Sequence, residues 1–555
     1  MILVSYAGYP YTPSSLMPDN GLASLGGALI SAGHEALILD YGTVETMERM
    51  VSEPHRKMLE SIYHSLAKGG KGPVAWSRQA TAMLKLRRME RKLAARQSVE
   101  VELLAEELSG IVSREKPDLI GFKLWNGDGF EGSIAMARRI RRDHPGLAIC
   151  GGGPHVYLFR ELIMKRAPVF DFLVADEAEN TVLQLMDGNR RLERIPGLIY
   201  RSGEEILSNS VERPRDLDLL PMPVYDEKVY PAMRGDGKIK MMIIDESRGC
   251  VYTCPFCPQS SRDENVWRCK SAARVVQEIE RLYVDPGVRL FRFGGQFTPG
   301  RLMEDVARLV LERGLDIEFT SFAHINAMRG TDFHLLRRAG LRAVFYGVES
   351  GSRTLLNGSL NKKTTPEEIE RVIGLTKSAG ILTSVSIIHP APGETAETRR
   401  ETLGLLERAR PDSVLVYFPG VYPRSRWAMD PGKYGIETAK DFSEKIMNYK
   451  IKTMYPPRFW DPLPYRIDGM DFAKYTAVAS RFVDQVEKLG ITTYVTDESF
   501  LFCEALGMPP ETYAERVKRG FFTGDAGDIG ELVRTVNDRS SRAASSGDIS
   551  GSQGG

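Results

Sequence analysis

Residues 248–259 read Arg-Gly-Cys-Val-Tyr-Thr-Cys-Pro-Phe-Cys-Pro-Gln. Cys250, Cys254 and Cys257 stand at a C-x₃-C-x₂-C spacing. The apolar run from Met241 to Ile244 predicts a short strand just ahead, which puts the cysteines on a loop at its C-terminal end. Three thiolates this close together suit an iron–sulfur cluster. A structural zinc site takes four ligands, and no fourth Cys or His stands at motif spacing; Cys269, beyond Arg268, is a poor candidate. A [4Fe–4S] cluster held by three cysteines leaves one iron open to an outside ligand. Half of the six cysteines fall in this one loop, shaped by Gly249, Pro255 and Pro258, which is not how ordinary buried thiols are spread.

Downstream of the cysteines, strand and helix patterns alternate. Strands are predicted at 241–245, 289–293, 317–321, 343–347, 382–388 and 413–417, with helices near 272–283, 301–313, 330–338, 366–379 and 396–408. Six such units over 241–425 predict a partial barrel with its chemistry at the strand ends. Upstream, residues 1–6 predict a parallel strand. Leu22, Leu25, Ala28 and Leu29 mark a helix ended by Gly33, and 36–40 a second strand. A helical, partly basic excursion follows from about 43 to 113. Its Lys85, Arg87, Arg88, Arg91 and Lys92 read as a solvated face or an anion site, and the interleaved Glu90 and apolar residues favour the solvated face. Strands at 119–122, 148–150 and 172–175, with a helix at 130–142, complete an open parallel sheet over 1–199. Its strand ends carry residues 8–13, 42, 125–129 and 151–155. Gly151, Gly152 and Gly153 let backbone approach a flat or phosphorylated ligand.

Residues 200–240 read as a linker. Residues 426–534 form a mostly helical C-terminal region. Its aromatics, Trp427, Tyr434, Tyr449, Tyr455, Phe459, Trp460 and Tyr465, are interrupted by Pro456-Pro457, Pro462 and Pro464. They serve either an apolar or planar substrate or a core. Residues 535–555, rich in Ser, Gly and Arg, read as a disordered tail. The 555 residues are 26% charged and 42% apolar, with a formal net charge of +1. Bulk charge therefore points to neither nucleic acid nor an anionic membrane. No signal peptide and no membrane span is read, and few cysteines fit a reducing cytoplasm.

The cysteine spacing, with aromatic Phe256 before the last Cys, resembles the signature of the radical S-adenosylmethionine (SAM) superfamily. The resemblance covers 241–425 and implies its (β/α)₆ core. In that family the open iron chelates SAM, and one-electron reduction gives a 5′-deoxyadenosyl radical. Phe293-Gly294-Gly295-Gln296 is similar to the glycine motif that receives the SAM amino group, with Gln296 where an acidic residue often stands. Tyr346-Gly347-Val348-Glu349-Ser350-Gly351-Ser352 resembles the fourth-strand motif, placing Glu349 near the SAM ribose or carboxylate. Ser384 to His389, with Ser386 as a SAM contact, and Pro392-Gly393-Glu394-Thr395 resemble the fifth strand and its exit loop. His324 and His389 lie past strand ends and are ligand contacts or structural.

The order of the N-terminal features, through Ile195-Pro196-Gly197-Leu198-Ile199, resembles the Rossmann-like cobalamin-binding domain found ahead of many radical SAM cores. Its usual D-x-H-x-x-G is absent. Gly8-Tyr9-Pro10-Tyr11-Thr12-Pro13 stands there, so the resemblance implies cobalamin without a histidine on cobalt. Tyr9, Pro10, Tyr11, Thr12, Leu25, Trp125, Asn126, Gly151, Gly152, Gly153 and Glu177 are its expected cobalamin contacts, with Trp125 or Asn126 over the lower cobalt face. The family implies a methyltransferase carrying methylcobalamin, acting on an unactivated carbon of a small-molecule substrate. A non-methylating cyclase or ring-rearranging enzyme is the alternative, and a cobalamin carrier or sensor a third. A one-electron donor such as flavodoxin or ferredoxin is the expected partner.

Overall fold

The computed structural model describes residues 1–68, 73–188, 191–261, 266–285, 287–452, 457 and 460–542. Tyr455, Pro456, Phe459 and tail residues 543–555 lie outside the described residues. Among those described, no helix is long and apolar enough to cross a membrane.

The first sheet contains β1 (Ile2–Ser5), β2 (Leu37–Asp40), β3 (Leu119–Lys123), β4 (Ala148–Gly152), β5 (Phe172–Val174), β6 (Leu198–Ser202) and β7 (Glu205–Ser208). Its order is β2-β1-β3-β4-β5-β6-β7, with β1 to β5 parallel and β6–β7 an antiparallel hairpin at the edge. The hairpin takes up the first part of the expected 200–240 linker, because Ile199 and Tyr200 can pair with β5 and bury their side chains. The strand order reverses between β1 and β3, and the crevice beyond their C-terminal ends is the binding position of such sheets.

The second sheet is all parallel. It contains β8 (Met241–Ile244), then, beyond the small hairpin β9 (Ser247–Arg248) and β10 (Arg268–Cys269), β11 (Leu290–Phe293), β12 (Glu318–Ala323), β13 (Leu341–Glu349), β14 (Leu382–Ile388) and β15 (Ser413–Tyr417). Past the pair β16 (Ile436–Thr438) and β17 (Tyr465–Ile467), the two-residue β18 (Thr492–Thr493) pairs with β15 as a seventh strand. The order β18-β15-β14-β13-β12-β11-β8 makes an open barrel. Phe291, Val344, Val385 and Val414 face its helices, while Arg292, Ala343, Ser384 and Ser413 face the concave side.

Helix Asn20–Ser31 lies between the two sheets, and its Leu22, Leu25 and Leu29 join one core with Met242, Ile279 and Phe291. The linker crosses that helix closely: a Cβ on Gly27 would stand 1.9 Å from the Met222 carbonyl oxygen. The excursion after β2 is three helices, Val44–Met50, Glu53–Ala67 and Pro73–Glu115. Lys85, Arg87, Arg88, Arg91 and Lys92 are all exposed on the last of them.

The C-terminal region divides in two. Helix Asp497–Leu506 enters the concave side, where Phe500 packs on Ala343. Helices Pro510–Thr523 and Ala526–Arg542 pack on the N-terminal excursion. The expected tail therefore begins later than 535. Val536 is buried, Asn537 accepts from Lys240 N at 2.7 Å, and Ser540 accepts from Arg289 N at 3.2 Å.

One buried ion pair ties linker to sheet. Lys238, 1% exposed, sets its ammonium 2.7 Å from Asp40 Oδ2 and donates to the Gly42 carbonyl at 2.7 Å. Asp40→Ala leaves that ammonium buried and unpaired, and should cost about 3–5 kcal/mol. Asp40→Ala combined with Lys238→Met should recover most of the loss. Urea unfolding midpoints measure both, and a single variant within about 1 kcal/mol of wild type would contradict the pairing.

Candidate functional site

The cysteine loop hangs between β9 and β10, beyond the end of β8. Gly249 has φ +87, and a Cβ there would lie 2.0 Å from the Val266 carbonyl oxygen, so the turn requires glycine. Four neighbouring strand-end loops pin it. Gln296 Oε1 accepts from Gly249 N at 2.8 Å. His324 stacks on Tyr252 with ring centroids 3.6 Å apart. Asn361 donates to Thr253 Oγ1 at 3.0 Å, and Trp427 N donates to the Pro255 carbonyl at 3.1 Å. Phe256 packs on Trp427.

Cys254 is buried, with Cys250 and Cys257 partly so. Burial pushes the Cys254 thiol up to about 11 and raises Cys250, and the Lys362 ammonium opposes both. The bare Cys250 and Cys254 thiols are therefore protonated at neutral pH, and a cationic metal centre is what would draw them to thiolates. Among the described residues no three His, Cys, Asp or Glu side chains are gathered as a single ion requires. A cubane places each cysteine on a different iron, and three thiols on one loop suit that arrangement. Cys150 lies in β4, Cys269 in β10 and Cys503 in helix Asp497–Leu506, all outside this loop.

The strand-end motifs converge beside the loop. Gly294 N donates to Ile244 O at 2.9 Å and Gly295 N to Glu246 Oε2 at 3.1 Å, so both N–H groups of that turn are engaged within the protein. Glu349, at φ +71, is buried at the end of β13. Its Oε2 accepts from Ser386 Oγ at 3.0 Å, and Lys362 Nζ stands 3.6 Å from Oε1. Burial raises the Glu349 carboxyl and Lys362 opposes the rise. Glu349 and Ser386 are thus in contact, and Phe256 lies on the other side of the same Lys362. Gln296 holds the loop at Gly249 through its amide oxygen.

Sequence reasoning missed two groups here. Lys362, 5% exposed, lies 6.0 Å from the Phe256 ring centroid in a polar stretch with no motif signal. Glu246 follows β8 fully buried, accepting from Gly295 N, Thr298 Oγ1 and Ser247 Oγ; burial lifts its carboxyl to about 7.

At the first sheet, Trp125 donates from Nε1 to Ser5 Oγ at 3.1 Å, and Lys123 Nζ lies 4.5 Å from its ring centroid. Lys123 in turn pairs with Asp19 at 2.7 Å. Burial alone would raise Asp19, but Lys123 and the Leu22 N–H bring it below its usual value. Trp125 and Asn126 therefore sit at the β1/β3 crevice, with Asn126 exposed. Gly152 is open to within 3.8 Å of Val174, and Gly153 has φ +91. Gly151 is explained by packing, because a Cβ would meet Leu173 at 2.9 Å.

Other expected contacts point elsewhere. Tyr9 is buried and donates to the Phe521 carbonyl at 2.9 Å, with Tyr11 against its ring. Pro10 is buried, and Thr12 caps the short helix Pro13–Leu16. Leu25 belongs to the inter-sheet core. Glu177 is held by Arg248 at 3.0 Å and by Arg268, which draws its carboxyl down against the effect of burial.

These contacts turn the two sets of strand ends toward each other. Tyr157, just after the three glycines, donates to the Pro258 carbonyl at 3.0 Å. Arg248 also reaches Glu179 at 2.7 Å, and Lys450 reaches Asp128 at 2.5 Å.

His155, in this junction, is 3% exposed between Phe130 and Phe159. Burial lowers its pKa from 6.5 to about 4. As pH falls through that window the unfolded chain takes up a proton and the folded chain does not. Stability should drop by about 3 kcal/mol from this group between about pH 6.5 and 4. His155→Phe should lose that share of the acid sensitivity in denaturation measured across the window. An unchanged pH slope would show that His155 titrates normally.

Comparison with known proteins gives a consistent result. The radical SAM superfamily model matches residues 246–406, and the B12 binding domain model matches 68–186. An uncharacterized methyltransferase of Pyrococcus horikoshii is 26% identical over 332 residues, covering 59% of this chain and 72% of that protein. The anaerobic magnesium-protoporphyrin IX monomethyl ester cyclase of Rubrivivax gelatinosus is 27% identical, covering 56% of this chain and 59% of its own length. Among solved structures, the radical S-adenosylmethionine methyltransferase TsrM of Kitasatospora setae, with cobalamin and a [4Fe–4S] cluster bound, superposes with TM-score 0.58 at 16% identity. The match covers 97% of this chain and 99% of that one, a likeness of fold.

Proposed function

Because the chain belongs to the radical SAM enzymes that carry a cobalamin-binding domain, we propose that it is a methyltransferase acting on an unactivated carbon of a small molecule. The supporting observation is the fixed opposition of two strand-end faces, through Arg248 with Glu177 and Glu179 and through Tyr157 with Pro258. Radical formation and methyl delivery must reach one carbon, and this clasp holds the two faces in place for it.

Cys250, Cys254 and Cys257 would hold the [4Fe–4S] cluster. The Gly294-Gly295 carbonyls, Glu349, Ser386 and Lys362 would hold SAM, and the crevice at Trp125 and Gly152 would hold cobalamin. Bound there, these groups supply a one-electron radical initiator and a methyl donor. The chain's own residues orient them and exclude water. Trp427, Phe256 and the Tyr252–His324 stack pack around the cysteine loop, and a dry site protects radical chemistry. Trp125, fixed by Ser5 and Lys123, would line the cobalamin crevice with an indole whose N–H is already committed to Ser5. The electron would come from a flavodoxin- or ferredoxin-like donor, and the free cysteines fit a reducing cytoplasm.

Changing Cys250, Cys254 and Cys257 together to Ala should give a folded protein without cluster iron or SAM cleavage. Cys150→Ala, Cys269→Ala and Cys503→Ala should each keep the iron. With methyl-labelled SAM, wild type should move label into a product. Full cluster iron in the triple variant would refute the ligand assignment. SAM cleavage with an oxidised, unlabelled product would favour chemistry of the kind named for the Rubrivivax gelatinosus relative.

A further inference from the structure

We infer that Arg424 is a recognition site for a carboxylate on the substrate, and that the substrate is therefore an anionic molecule with a planar or aromatic body. The inference rests on the methyltransferase reading of this site and narrows it to a substrate class. Arg424 follows β15 on the loop at the open end of the barrel, three residues before Trp427, whose N–H holds the cysteine loop at Pro255. Its guanidinium carbon lies 5.3 Å from the Tyr157 ring centroid. Tyr157 donates to Pro258, next to Cys257, and follows Gly151-Gly152-Gly153 in the chain. Arg424 therefore stands where both candidate cofactor faces meet.

The other arginines of this junction are matched. Arg213 pairs with Asp176, and Arg248 and Arg268 pair with Glu177. Arg424 is different: among the described residues no carboxylate pairs with it, and its Nε is buried without a hydrogen-bond partner. A partly buried guanidinium with an unmet donor is costly unless something accepts from it. Its φ of +70 adds backbone strain, which persists where surrounding structure holds a residue for use. The Tyr157 ring accounts for the cation by contact without accepting from its N–H groups, and a carboxylate is the partner that takes a guanidinium through two parallel hydrogen bonds.

Tyr417 and Tyr422 give the rest of the class. They are 47% and 45% exposed, Tyr417 at the end of β15 and Tyr422 on the loop that carries Arg424. Exposed phenol rings on the loop that carries the guanidinium suit a flat body with an acid group.

The test uses the anaerobically reconstituted holoenzyme with SAM, titrated calorimetrically with 3-phenylpropionate and with 3-phenylpropionamide. Wild type should bind the acid at least tenfold more tightly than the amide. Arg424→Gln should lose that preference while keeping its cluster iron and melting temperature, and Arg424→Lys should keep part of it. Equal binding of acid and amide by wild type, binding of neither, or an undiminished preference in Arg424→Gln would each overturn the inference. If the preference holds and label from SAM reaches no product, the carboxylate site stands and the methyltransferase reading falls.

Discussion

The arrangement depends on the side chain of Arg248, two residues before the first cysteine of the motif. Its guanidinium touches Asp245 on its own strand end and Glu177 and Glu179 from the other sheet, at 2.7, 3.0 and 2.7 Å. Burial works against its charge, and the three carboxylates more than offset that. Such a buried cluster adds little net stability, because desolvation consumes most of the Coulomb gain. Its effect is selective: sliding one sheet against the other would leave buried charges unpaired. The cysteine loop and the crevice of the first sheet are thereby fixed in one relation, and Arg268 reinforces it from β10.

A second polar cluster closes the opposite end. Arg292, on the concave face of β11, meets Asp497 at 2.8 Å and Glu498 at 3.1 Å, and Ser14 donates to Glu498 from the loop after β1. Two adjacent carboxyls share one guanidinium, so burial holds the Asp497 proton on up to about 7. The C-terminal helix is thus a plug as well as a contact for the N-terminal helices. With that end filled, the strand-end mouth is what remains for substrate. The same contacts explain why the loop at Tyr9 turns away from the crevice: Ser14 and Tyr9 are drawn to Glu498 and Phe521.

The fold was legible where one residue type repeats with a period. The six core strands predicted from apolar runs all form, with ends shifted by a residue or two, because buried parallel strands are continuously apolar. The cysteine loop was legible because its spacing is chemistry in one dimension. The two-residue β18 carries no periodic signal and exists because β15 offers an edge. Glu177 and Tyr9 each lie near a strand end in sequence, yet the partner that holds each comes from a distant element, Arg248 and Phe521, and the place of Leu25 in the core between the sheets has no signal of its own in the sequence. Lys362, Glu246 and Arg424 went unseen because isolated polar residues gain meaning only from what the topology brings beside them.

That difference also bears on how such a chain acquires its substrate. The motif residues gather at the strand ends, and the Arg248 clasp fixes the ends of the two sheets against each other. Neither leaves much room to vary without losing the chemistry. The third wall is under no such constraint. It runs from Tyr417 through Trp427 to Lys450, anchored to the cysteine loop at Pro255 and to the first sheet at Asp128. Tyr417 ends β15, and Tyr422 and Arg424 lie on the loop between it and the anchor at Trp427, outside the strand registers of both sheets. A substitution on that loop leaves the clasp in place, which is consistent with a fold retained over nearly the whole of TsrM at 16% identity. Specificity in this architecture is therefore expected in the loop after β15, where no cofactor motif reaches and where a partly buried guanidinium keeps a buried Nε without a partner.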